Sequence, residues 1–166
     1  MYRLTDSYSL FYLTYIEPLG KSSQIDFIQL SDLPQWKVWS GYAFENVCLT
    51  HIQQIRKALS IAGMASSVAS FIARPKDGLS GTQIDLLIDR SDQSINVCEI
   101  KFSIADYEVT KKDVDNIKNK KRVFQYHTKT KKHLFTTLIT IMGVINNSNR
   151  INHIDQVVTL DDLFAP

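Results

Sequence analysis

The chain has 166 residues, 44% of them hydrophobic and 22% charged, which is enough apolar material to bury a core without metals or disulfides as staples. Its formal net charge is only +2, no apolar run reaches the roughly 18 to 20 residues of a membrane span, and the start lacks the basic and apolar regions of a signal peptide, so no membrane partner and a cytoplasmic location are expected. Cys48 and Cys98 both sit in apolar runs and read as free buried thiols, too few for a zinc site.

In chain order, residues 19–35 read as a connector, with Pro18 and Pro34 as breakers. Trp36 and Trp39 are expected to pack the first helix. That helix is predicted to begin near Trp39 to Gly41, because Phe44, Val47, Cys48, Ile52, Ile55 and Leu59 recur at spacings of three and four. Glu45 then falls in its first or second turn, where the macrodipole alone favours a carboxylate by roughly 0.3 to 1 kcal/mol. Met64 to Arg74 reads as a strand ending at Pro75, with KDGLSG as a turn. Two further strands are predicted around Asp85-Leu-Leu-Ile and Ile-Asn-Val-Cys-Glu99, joined by a turn at Arg90 to Ser94.

Val114, Ile117, Lys121 and Phe124 recur at three, four and three and predict a helix with its basic face outward. Between Lys101 and Lys132 the cations are dense and interleaved with Phe124, Tyr126 and His127, the pattern of a phosphate-facing element, with Lys118 and Lys121 as the candidate contacts. A solvated helix face accounts for the same charges. Phe135 to Val144 is a dense β-branched run and reads as a buried strand, and Gln156 to Thr159 as a short edge strand. The four histidines are scattered without metal-ligand spacing, and Tyr107 and Tyr126 read as core aromatics or base-stacking groups.

The chemistry concentrates between Gly81 and Ser103, where a hairpin would bring Asp85 and Glu99 together. Glu99 and Lys101 are two apart on a strand, so both side chains leave one face, about 6 to 7 Å apart along the chain. A hard cation such as Mg²⁺ takes one or two protein carboxylates plus water and substrate phosphate, and Asp85 and Glu99 suit that need. Lys101 would position or deprotonate a metal-bound water, or stabilise charge on the phosphate. Simple cross-strand charge pairing, worth roughly 0.2 to 1 kcal/mol, explains the same residues, but the surroundings IDLLI and VCEIKF are strongly apolar and make an unpaired charge expensive.

The order of helix Glu45, strand Asp85 and Glu99-x-Lys101 resembles the PD-(D/E)xK nuclease superfamily, with Gln83-Ile84 where the name-giving proline would precede the aspartate. The resemblance implies a restriction-endonuclease-like α/β core, α-β-β-β-α-β, with a mixed central sheet flanked by helices. It further implies four catalytic residues, Glu45, Asp85, Glu99 and Lys101, with Asp85 and Glu99 holding Mg²⁺ or Mn²⁺. Gly41-Tyr-Ala-Phe-Glu45, Gln83 to Ile88, Cys98-Glu-Ile-Lys-Phe-Ser103 and Thr159-Leu-Asp-Asp-Leu-Phe164 look like the C-terminal nuclease-like domain of prokaryotic AAA-type ATPases, and residues 2–16 look like the last strands of the winged-helix segment that precedes it. On that resemblance, residues 1–35 are a winged-helix remnant, residues 36–166 are the nuclease-like domain, and the chain is a fragment or a shortened relative. No G-x-x-x-x-G-K-[ST] occurs, so the chain is not itself the phosphate-binding ATPase. The implied partners are DNA and an ATPase domain in the same or another chain, with a second copy of the chain, as a homodimer, standing beside them. Two functions follow: a Mg²⁺-dependent endonuclease on DNA, or an inactive nuclease fold that binds DNA or protein for an ATPase.

Overall fold

The computed structural model describes residues 6–19, 30–31, 33–76 and 78–165. It divides into two compact units, residues 1–50 and 51–166. Most of the expected connector (20–29) and the first residues of the expected winged-helix strands (2–5) lie outside the described residues.

Within the first unit, residues expected to be extended are helical. Asp6 caps helix α1 (Ser7–Phe11) by accepting from Ser9 N at 2.7 Å, and a π-helical turn (Tyr12–Ile16) and a 3₁₀ turn (Glu17–Leu19) follow. The aromatic spacing Phe11, Tyr15 is a helical one, and it presents both rings to Trp36 and Trp39 of α2 (Pro34–Thr50) with centroids 5.5 to 6.4 Å apart across these pairs. Helix α2 starts earlier than its apolar spacing suggests, at Pro34, because proline's fixed φ and missing N–H suit the first helical position. Glu45 therefore lies past the middle of the helix, away from the positive end of its dipole.

In the second unit, a short helix α3 (Ile52–Ala58) precedes strands β1 (Ser66–Ala73), β2 (Thr82–Arg90) and β3 (Ser94–Lys101), then helix α4 (Lys111–Thr128), β4 (His133–Thr140), α5 (Ser148–His153), β5 (Gln156–Val158) and α6 (Leu160–Phe164). The five strands form one mixed sheet in the order β1-β2-β3-β4-β5, flanked by helices. The pairs β1–β2 and β2–β3 are antiparallel, and β3–β4 and β4–β5 are parallel. The β2–β3 turn is tight because Gln93 takes a left-handed φ of 63°.

Strand alternation decides which face each residue serves. Ile95 and Val97 of β3 join Ile84, Leu87, Leu134 and Phe124 of α4 in one buried cluster. Val114 and Ile117, further up α4, join Val109, Leu138 and Ile154 in a second. Helix α4 thus lies along the sheet, and its apolar row is what fixes it there. At its start, Thr110 Oγ1 accepts from Asp113 N at 3.2 Å while Asp113 Oδ2 accepts from Thr110 N at 2.9 Å, a reciprocal capping box. Lys129, left-handed at φ 54°, closes its end. On the other face the fully buried Asn96 donates to Thr137 Oγ1 and Gln156 Oε1, tying β3, β4 and β5 together. Among the described residues, no helix is long and apolar enough to cross a membrane. Neither cysteine is in a disulfide and both are buried, and burial, aided by the Glu45 carboxylate, pushes the Cys48 thiol up to about 12.

Candidate active site

The sheet face that carries Ile95 and Val97 continues to Glu99 and Lys101 at the end of β3, so apolar alternation delivers a carboxylate and an ammonium beneath α4. Glu99 is 7% exposed. Lys101 Nζ lies 3.0 Å from its Oε1, and Lys120 Nζ, from α4, lies 2.6 Å from its Oε2. Lys101 Nζ is also 3.8 Å from Asp113 Oδ1. The Tyr107 hydroxyl donates to the same Asp113 carboxylate. Two ammonium groups and two carboxylates thus form one electrically balanced cluster.

The surroundings set the acidities. Burial works to raise the Asp113 carboxyl, but hydrogen bonds from the Thr110 hydroxyl and amide, the Tyr107 hydroxyl and the Lys101 charge outweigh it and hold it below its ordinary value. The Tyr107 phenol is raised well above its ordinary value, by burial first and then by the Asp113 and Glu99 carboxylates. Tyr107 is held in turn by its backbone, whose N–H donates to Gly143 O and whose carbonyl accepts from Ile145 N.

Asp85 occupies an irregular place on β2. The β2–β3 ladder runs from Asp89–Ile95 to Leu86–Cys98, and Asp85 and Glu99 each stand one residue beyond that last pair. On the other side of β2, Asp85 and Leu86 together face Ser70 of β1, a β-bulge between the pairs Ala69–Leu87 and Phe71–Ile84. The bulge breaks the alternation, so that Ile84 and Leu87, three apart, enter the same cluster. The Asp85 carboxylate accepts from the Gln83 side-chain amide. Glu99 and Lys101 are therefore joined by direct contact, whereas Asp85 is near them in strand position and spends a hydrogen bond on Gln83.

Glu45 belongs to the first unit, and Asp85, Glu99 and Lys101 to the second. Of the two candidate phosphate contacts, Lys118 is exposed, but Lys121 donates to Leu134 O at 2.8 Å and is half-buried. Burial lowers the pKa of its ammonium, and the Asp155 carboxylate partly offsets that. Lys121 shares its helical row with Val114, Ile117 and Phe124, and membership of that row directs it inward.

Lys120 and Asp113 are site residues that pattern reading passed over, and Tyr107 was read only as a core or base-stacking aromatic. The signal for Asp113 was the Thr110-x-x-Asp113 capping pair, and Lys120 stands seven residues on, two turns along the same helix side. Among the described residues, no group of three or more His, Cys, Asp or Glu is arranged to hold a metal ion. Compared with family models, curated proteins and solved structures, the chain matches none.

Proposed function

We propose that residues 51–166 form a nuclease-like domain of the PD-(D/E)xK kind, with a restriction-endonuclease-like core, which hydrolyses DNA phosphodiester bonds with a divalent cation and works with an ATPase domain. The observation that carries this reading is the nearly buried Glu99 carboxylate with the Lys101 ammonium 3.0 Å away, at the end of a central strand and beside the Asp85 bulge. A cation on Glu99 would compete with both ammonium groups, and Asp85 would have to leave its Gln83 hydrogen bond to share it. Glu99 keeps a second lone pair on each oxygen beyond its two ammonium contacts, and Mg²⁺ or Mn²⁺ needs only one or two such carboxylates beside water and phosphate. When bound, the cation supplies an activated water and neutralises phosphate charge. On this reading Asp85 and Glu99 would hold it. Lys101, fixed between Glu99 and Asp113, orients the attacking water and stabilises charge on the phosphate.

A second reading, a binding module without cleavage, is favoured by the engagement of both Glu99 oxygens with ammonium groups, and among the described residues no group of three or more candidate ligands is arranged to hold a metal. One experiment separates them. Supercoiled, single-stranded and branched DNA are incubated with the protein and with Asp85→Ala, in Mg²⁺ or Mn²⁺ and in chelator. Metal-dependent cleavage lost in Asp85→Ala supports the nuclease; binding of these DNAs without cleavage by the wild type establishes the module.

A further inference from the structure

Helix α4 aligns Val114, Ile117, Lys118 and Lys121 on one side, the spacing of a single helical face. Between that face, Thr136 of β4, and His153 and Asp155 at and just after the end of α5 lies a cavity of about 250 Å³, away from the Glu99 cluster. At roughly 30 Å³ for a water-sized group, it has room for about eight non-hydrogen atoms.

Two polar groups of the lining are incompletely satisfied. Thr136 stands between Leu134 and Leu138 on the sheet face that α4 covers, and it is 1% exposed. Its hydroxyl has no hydrogen-bond partner among the described residues, which is costly at that depth. Lys121 brings a half-buried ammonium whose hydrogen bond goes to a neutral group, the Leu134 carbonyl at 2.8 Å. Burial lowers its pKa, and the Asp155 carboxylate offsets only part of that. Asp155 is itself occupied, since its Oδ2 accepts from Thr136 N at 2.6 Å. Exposed Lys118 adds a second cation, so two ammonium groups of the lining stand against one carboxylate.

We propose that this cavity binds a small oxyanion, a phosphate or carboxylate carried on a short apolar body. The anion accepts from the Lys121 and Lys118 ammonium groups and from the Thr136 hydroxyl, and Val114 and Ile117 supply the apolar wall. The size of the cavity selects a free small molecule over a nucleic acid. The site needs neither Glu99 nor a metal, and it stands whether or not the domain cleaves DNA.

The test is NMR titration of the full chain with inorganic phosphate, succinate and 2-phosphoglycolate, followed at the Thr136 methyl and the neighbouring amides. At least one of the three should bind saturably. Lys121→Met keeps the stem and removes the charge, and Thr136→Val keeps the shape and removes the hydroxyl. Each should weaken binding by about tenfold or more, because each deletes a hydrogen bond to a charged group. Lys112→Ala, on the opposite side of α4, should bind as the wild type does. Thr136→Val has a second readout: deleting an unpartnered buried hydroxyl should leave the urea midpoint unchanged or raised. That variant also keeps the site testable should Lys121→Met fail to fold. Absence of saturable binding to the wild type, or full-strength binding by either folded variant, overturns the site. A lowered midpoint in Thr136→Val would show that its hydroxyl is already partnered, with the same consequence. A 5′-phosphorylated oligonucleotide that shifts the Thr136 methyl where the three small anions do not would assign the cavity to nucleic acid and overturn the small-molecule site.

Discussion

Lys101 Nζ lies 3.0 Å from Glu99 Oε1, two residues back on the same strand face, and Asp113 Oδ1 stands 3.8 Å away on its other side. An ammonium held between two carboxylates is preorganised, so little reorganisation is required of it when negative charge develops nearby. If the proposed nuclease activity is present, Lys101→Ala should cut metal-supported DNA cleavage by about 10² to 10³ and leave cation binding in place, because lysine is no ligand. Asp85→Ala should lose both. Cleavage rates and calorimetry on the two variants check this, and equal loss of cation binding in both would remove the division of roles.

The same cluster predicts unequal contributions to stability. Lys120→Ala strips a partner from a carboxylate that is almost wholly buried and should cost about 3 kcal/mol, the range for breaking a buried pair. Lys101 is more exposed, at 28%, and water compensates its loss, so Lys101→Ala should cost about 1 kcal/mol or less. Urea denaturation of the two variants gives both numbers. Similar costs would mean that burial does not rank these contacts.

Asp113 links the cap of α4 to Lys101, and its carboxyl is held below its ordinary value despite burial. A carboxyl depressed on folding stabilises the native state above its unfolded-state value, and that contribution fades as pH falls through the lower folded-state value. The stability difference between wild type and Asp113→Asn should be full at neutral pH and shrink below about pH 4. Denaturation midpoints measured from pH 7 down to pH 2 test it. Parallel curves for the two proteins would show that the Asp113 charge contributes nothing.

Much of the second unit was legible because its signals are local. The apolar runs around Asp85 and Glu99, the β-branched run after Phe135 and the three-four spacing of Val114, Ile117 and Phe124 each identify an element by period alone. The strand face shared by Glu99 and Lys101 followed from the same rule. What escaped depended on contacts between elements. The β-bulge at Asp85 and Leu86 is set by the register against β1, which no periodicity within β2 records. Lys120 reaches Glu99 only because α4 packs where its apolar row puts it, 21 positions along the chain. Residues 2–16 were expected as strands only through the winged-helix resemblance, whereas residues 7–19 form helical turns, with Phe11 and Tyr15 at helical spacing packed on two tryptophans.

Helix α4 carries the last prediction, since two of its lysines look alike in sequence and differ in the fold. Lys118 is exposed, whereas Lys121 is half-buried and gives a hydrogen bond to the Leu134 carbonyl. Phosphate contacts release counterions from DNA, so each lysine that meets a phosphate adds close to one unit to the dependence of log affinity on log salt concentration. If α4 meets DNA, Lys118→Ala should reduce that slope by about 0.9 on duplex DNA, while Lys121→Ala should leave it unchanged. Lys121→Ala should instead lower stability by about 1 to 2 kcal/mol, through its lost stem packing and the buried carbonyl left without its donor. Fluorescence anisotropy between 50 and 200 mM salt, paired with urea denaturation of each variant, separates the effects. A slope reduced by Lys121→Ala would show that its ammonium leaves Leu134 to reach DNA, and a slope unmoved by Lys118→Ala would return this helix face to solvent.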